Sequence, residues 1–187
     1  MEKLLFGTAG IPICTNPRKY DQAFKDLNKM QLGCMEMEFV RGVNMNVQTQ
    51  QLVKKLAPEL GITLTAHGPY YINLNSLEED KVEASVKRIL DTARVAHACS
   101  GYSVTFHAAF YMKMDPEQVY SNVKARMTEI INTLKSENIE IWVRPETTGK
   151  GTQWGSIDEV IRLSKELEMV LPCVDFSHIH YRTAGKY

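Results

Sequence analysis

Six short apolar runs, spaced by longer amphipathic stretches, limit most strongly what this chain can fold into. Residues 3–7 (KLLFG), 35–40 (MEMEFV), 62–68 (ITLTAHG), 102–107 (YSVTFH), 139–144 (IEIWVR) and 170–175 (VLPCVD) read as strands. The stretches between them carry helical periods. Pro17 to Met30 sets Ala23, Leu27 and Met30 on one face, and residues 47–57 read as a short helix. Ser76 with Glu79 reads as a capping box before Val82, Val86, Ile89, Leu90 and Ala93. Asp115-Pro116-Glu117 opens a helix with the stripe Val119, Val123, Met127, Ile130 and Leu134. Ser156 with Glu159 is a second capping box, leading to Val160, Ile161, Leu163 and Leu167.

A strand–helix alternation of this kind builds a parallel sheet, because parallel neighbours need a crossover and the helix supplies it. The sheet is either open and doubly wound or closed into a barrel. No Gly-x-Gly-x-x-Gly follows the first strand, which disfavours the dinucleotide-binding fold. The expected fold is therefore α/β, a (β/α)8 TIM barrel. It is incomplete, with about six βα units in a single partial domain over residues 1–187. The tail HYRTAGKY reads as loop, as if the chain stopped before its barrel closed.

Composition narrows the function. Twenty-two basic and 22 acidic residues cancel, so no global field draws the chain onto nucleic acid. A phosphate partner would need a local basic patch or bound metal. Cys14, Cys34, Cys99 and Cys173 form no Cys-x-x-Cys pair and read as buried free thiols in a reducing cytoplasm. No apolar run approaches the ~20 residues of a membrane span, and the N-terminal apolar stretch is too short for a signal peptide. A cytoplasmic protein that does not engage membranes is the expectation.

Barrel chemistry sits at the C-terminal ends of strands. Here the third strand ends at His67, the fourth at His107, the fifth runs into Glu146, and the sixth ends at Asp175, with His178 and His180 behind it. These side chains are the nitrogen and oxygen ligands that suit zinc, manganese or iron. A lone histidine at a strand end means little; four consecutive strands delivering ligands to one rim point to a metal site. The remaining histidine, His97, sits late in a helix, where the macrodipole favours it.

The local contexts TAHGPYYINL (65–74), VTFHAAF (104–110), RPETTGKGTQWGS (144–156) and VDFSHIH (174–180) resemble the endonuclease IV family in order and placement. That family belongs to the xylose-isomerase-like barrel superfamily. The resemblance spans Met1 to Tyr187 and implies a zinc-dependent hydrolase that nicks double-stranded DNA at abasic sites. It implies up to three Zn2+ in the complete fold, with Mn2+ an alternative. His67 and His107 would ligate one metal, Glu146 would bridge two and act catalytically, Asp175 would bind the second, and His178 the third. Tyr70 would shape the abasic-site pocket and Arg41 would reach the DNA; Lys150 and Gln153 would approach phosphate. The family continues into two further strands carrying a His, an Asp-x-His pair and a last bridging Glu, and this sequence has no counterpart to them. Open sheet edges would then favour instability, self-association or a completing partner. Two alternatives stand beside the nuclease: a metal-dependent sugar isomerase or epimerase of the same superfamily, and a non-catalytic metal-binding remnant.

Overall fold

A computed structural model describes residues 4–186. The strands are β1 (Gly7–Ala9), β2 (Cys34–Glu38), β3 (Thr63–His67), β4 (Ser103–Phe106), β5 (Ala109–Phe110), β6 (Trp142–Pro145) and β7 (Gln153–Trp154). The helices are α1 (Tyr20–Lys29), α2 (Val47–Glu59), α3 (Glu79–Ala98), α4 (Pro116–Ser136), α5 (Ile157–Glu166) and α6 (Phe176–Arg182). A parallel sheet runs in the order β1-β2-β3-β4-β6, and β5 pairs antiparallel with β7 beside it. This is the expected α/β TIM-barrel architecture, present in part.

The sheet has two unlike faces. Met35, Leu64, Val104 and Val143 lie in mutual register or beside it, and pack outward against the helices. Helix residues meet them with the expected periodicity: Val86, Ile89 and Ala93 from α3, and Val119, Val123, Met127, Ile130 and Leu134 from α4, all buried. The alternate set is polar. Glu36 pairs with Thr65 and Thr65 with Ser103; Glu38 pairs with His67, His67 with Thr105, and Thr105 with Arg144. Strand parity therefore sends the apolar half of each strand to the helices and the polar half to the barrel interior.

Several local expectations are corrected. The first strand begins at Gly7 rather than running over 3–7, and its predicted start, Lys3, lies outside the described residues. Leu4 and Phe6 are exposed, and pairing starts where Gly7 lets the chain approach: a Cβ there would collide with the Cys34 carbonyl. Ser76 does not cap α3. Its hydroxyl accepts from the Glu78 amide in a local turn, and the helix starts later, with Glu79 and Asp80 in its first turn. Met30 follows the end of α1 as its cap and is exposed.

The sixth strand is a broken ladder. Val170 and Cys173 bridge in parallel to Val143 and Glu146, but Pro172 between them has no N–H to offer, and its carbonyl accepts instead from the Arg144 guanidinium. The tail is not loop throughout: Asp175 caps α6 by accepting from the His178 amide at 2.8 Å. The Asp115 cap and the Ser156–Glu159 capping box are formed as read. The four cysteines are free, but only Cys99 is buried and Cys14 is exposed. Among the described residues no helix is long and apolar enough to cross a membrane.

Candidate metal centre

The C-terminal ends of β3, β4 and β6 and the start of α6 converge on Glu146. Its Oε2 lies 3.2 Å from His67 Nε2 and 3.1 Å from His107 Nε2. Its Oε1 lies 3.5 Å from His178 Nδ1, which is 3.7 Å from Asp175 Oδ2. The chain thus forms two ligand triads, His67–His107–Glu146 and Glu146–Asp175–His178, with the donor atoms of each within 4.8 Å of one another. Each carboxylate oxygen of Glu146 faces a different triad.

Backbone carbonyls orient the rings. His67 Nδ1 lies 2.7 Å from the Gly68 carbonyl, which holds its proton on Nδ1 and presents Nε2 to Glu146. His178 Nδ1 lies 2.9 Å from the Thr147 carbonyl. Thr147, itself buried, takes the Asp175 amide at 2.8 Å on its hydroxyl. The loop after Glu146 is fixed by Gly155, whose φ is +118° and where a Cβ would stand 2.7 Å from the Glu146 carbonyl oxygen. Arg182, on α6, ties this loop to the helix. Its guanidinium donates to the carbonyls of Thr148, Lys150 and Gln153 and to Tyr111 Oη, at 2.9 to 3.3 Å. No residue of α6 is buried, so these polar contacts set where His178 stands.

The electrostatics suit cation binding. Burial disfavours the charged form of Glu146, but hydrogen bonds from His107 and His67 outweigh it and hold the carboxyl down at about 2. Burial likewise works against a charged His67, yet its bonds to Glu146 and the Gly68 carbonyl push it up to about 9. Without metal, the proton on His67 offsets the charge of the carboxylate. A divalent cation would take over that role from the same nitrogen and oxygen donors, so this donor set fits a divalent metal.

Tyr70 packs over the first triad, its ring centroid 5.4 Å from His67 and 6.0 Å from His107. Other expected residues stand apart. Arg41 is exposed in the turn after β2, and no hydrogen bond or ion pair joins it to the triads. Lys150 is exposed, and the Gln153 side chain accepts from its amide instead of facing the ligands. His180 is exposed on α6 and belongs to neither triad, and His97 ends α3 as expected.

Sequence reasoning missed Glu36 and Glu38. Burial pushes the Glu36 carboxyl up to about 7, against the pull of His67 and with the push of Glu38. Its Oε2 accepts from the Thr65 hydroxyl at 3.3 Å. The signal was the alternation Met-Glu-Met-Glu in a strand covered by helices on one side: its polar half had to face the barrel interior.

The sequence matches the family described as xylose isomerase-like TIM barrel over residues 24–187. The chain belongs to the xylose isomerase-like TIM-barrel family. An uncharacterized protein of Methanocaldococcus jannaschii is 44% identical over 182 residues, covering 97% of this chain and 64% of that protein. The chain thus spans slightly less than two thirds of this relative. Among solved structures of this barrel, D-psicose 3-epimerase of Clostridium cellulolyticum superimposes with a TM-score of 0.74 at 14% identity, over 95% of this chain and 65% of that one. Endonuclease IV from Thermus thermophilus superimposes with a TM-score of 0.69 at 18% identity, over the same shares. Most of the structurally similar barrels are sugar epimerases. At these identities the likeness establishes the barrel and leaves its chemistry to the site.

Proposed function

We propose that this chain carries the centre of a divalent-metal-dependent enzyme acting on a sugar. The observation that carries the metal dependence is Glu146, a buried carboxylate with one oxygen turned to each of two ligand triads. Isomerisation or epimerisation of a small sugar is the better supported chemistry, since epimerases dominate the similar barrels. A bound divalent metal polarises a carbonyl and steadies negative charge on the neighbouring oxygen. The chain's own part would be proton movement. His67, His107 and Glu146 would hold the cation, and Glu36, inward-facing on the adjacent strand, would take the proton from the carbon beside the carbonyl. Isomerisation returns it to the former carbonyl carbon, whereas epimerisation needs a second group to deliver a proton to the opposite face. Two carboxyls driven to opposite ends of the carboxylate range are suited to these separate tasks.

Phosphodiester hydrolysis at abasic DNA is the second reading, favoured by one specific feature. A carboxylate split between two triads suits a pair of metals, which hydrolytic sites use to activate water and neutralise the leaving oxygen. His67, His107, Glu146, Asp175 and His178 would supply the ligands, zinc or manganese the cations, and Tyr70 and Arg41 the DNA contacts. One experiment separates the readings. The chain is loaded with Mn2+ or Zn2+ and assayed on a panel of ketoses and on a duplex carrying one abasic site, each with a chelator control. Metal-dependent exchange of a ketose C–H proton with solvent supports the first reading, and metal-dependent incision the second. A chain that binds no metal overturns both.

A further inference from the structure

Beside the metal centre, on the outer side of Tyr70, a groove of about 500 Å3 runs between the loop after β3 and the first half of α3. Tyr70, Tyr71, Asn73, Lys81, Ser85 and Arg88 line it. We propose that this groove holds a phosphate group carried by the substrate, with Arg88 as its principal ligand and the two tyrosines flanking the attached sugar. The proposal deepens the reading of a sugar-directed enzyme and rests on it for the substrate's reacting end.

Arg88 is half-buried, and its guanidinium has no hydrogen-bond or ion-pair partner among the described residues. Its counterparts on the helices are all engaged. Arg94 binds Glu137 and Asp91, Arg126 binds Glu129 and Glu79, Arg162 binds Glu117 and Glu166, and Arg182 grips carbonyls. A partly desolvated guanidinium is left without an acceptor at a cost, and its planar fork matches the oxygens of a phosphate. Lys81 adds a second cation, paired at the lip with Glu78, and Asp80 brings one opposing charge to the outer end.

The walls are preformed. The Asn73 amide donates to Ser85 Oγ at 3.0 Å, Ser85 Oγ donates to the Lys81 carbonyl at 2.7 Å, and Asn73 Oδ1 takes the Phe110 amide at 3.2 Å. Loop, helix and β5 are therefore locked together before any ligand arrives. Tyr70 and Tyr71 are 54% and 67% exposed, an aromatic pair available to the apolar face of a sugar ring. Tyr70 also touches the first triad, so a substrate anchored in the groove would reach the metal rim past this ring.

A phosphorylated monosaccharide and the backbone of an abasic strand share this chemistry, and a titration distinguishes them. The full 187-residue chain, loaded with Mn2+, is titrated calorimetrically with ribose 5-phosphate, with ribose, and with a duplex bearing a tetrahydrofuran abasic-site analogue. We expect at least one phosphate-bearing ligand to bind about tenfold more tightly than ribose, Arg88→Gln to remove that advantage, and Arg88→Lys to keep most of it. The phosphate-bearing ligand that shows the loss identifies the source. Arg88→Gln should leave Mn2+ affinity and the thermal midpoint unchanged. Equal binding of all three ligands, or an advantage that survives Arg88→Gln, overturns the proposal. Failure of the metal-dependent reading shows itself separately, as absence of Mn2+ binding. The Arg88 comparison can then be made on the metal-free chain.

Discussion

Glu146 divides its two oxygens between neighbouring triads, and most expectations at the residue scale follow from that division. Glu146→Gln weakens one donor in both triads at once. Equilibrium dialysis should find bound metal falling at both, and a variant that still retains a full complement would show that Glu146 is not shared. The pH dependence of the metal-free protein has a definite sign. His67 is raised to about 9 from an ordinary 6.5, so its contribution to stability is complete below about 6.5 and disappears as pH climbs through 9. Glu146 is lowered to about 2 from 4.5, so its contribution is present above about 4.5 and disappears as pH falls toward 2. Denaturation midpoints should therefore decline on both sides of the window from about 4.5 to 6.5. Metal must displace the His67 proton, so its apparent affinity should rise roughly tenfold per pH unit near neutrality. Glu36→Gln, under the isomerase reading, should lower kcat about a hundredfold or more while metal affinity holds, and unchanged turnover would remove Glu36 from the reaction. His67, His107 and Glu146 were legible because each stands at or just past the end of a strand, and Asp175 and His178 because they follow the last one closely. Glu36 was not, because a glutamate within a strand looks like a solvent-facing residue until the sheet is known to curve around it.

At the scale of elements, α6 is the least conventional part of the site. It is seven residues long, buries none of them, and yet supplies His178. Its position depends on the Asp175 cap, the Thr147–Asp175 pair and the Arg182 fan of hydrogen bonds. Arg182→Ala should cost on the order of 1 kcal/mol of stability, because little apolar surface goes with it. It should lower metal occupancy at the triad of Glu146, Asp175 and His178 while sparing the triad of His67, His107 and Glu146; equal loss at both would show a general collapse. The long helices α3 and α4 were legible from periodicity alone. The β5–β7 pair was not, since two-residue strands carry no period, and α6 was hidden because its aspartate and histidine have the look of ligands before they have the look of a cap and a helix. The displaced start of α3 has a similar cause: Ser76 satisfies a nearby amide in a turn, and no local pattern distinguishes that from a cap.

For the whole molecule, the parallel sheet has β1 at one edge and the Pro172-interrupted segment at the other. Unpaired backbone at such edges favours association. The 187-residue chain should therefore form concentration-dependent oligomers in sedimentation experiments, and a strict monomer at high concentration would count against it. Fold class was readable because six βα alternations admit few topologies. Which of the barrel's chemistries the site would serve was less readable, because similar ligands suit hydrolysis and isomerisation alike. The two unlike faces of the sheet carry a consequence for inheritance. Met35, Leu64, Val104 and Val143 answer to the helices, while Glu36, His67, Thr105 and Arg144 answer to the interior. Mutation can therefore explore the second set with limited penalty to the first. A lineage built on this strand pattern is free to change its reaction while keeping its architecture.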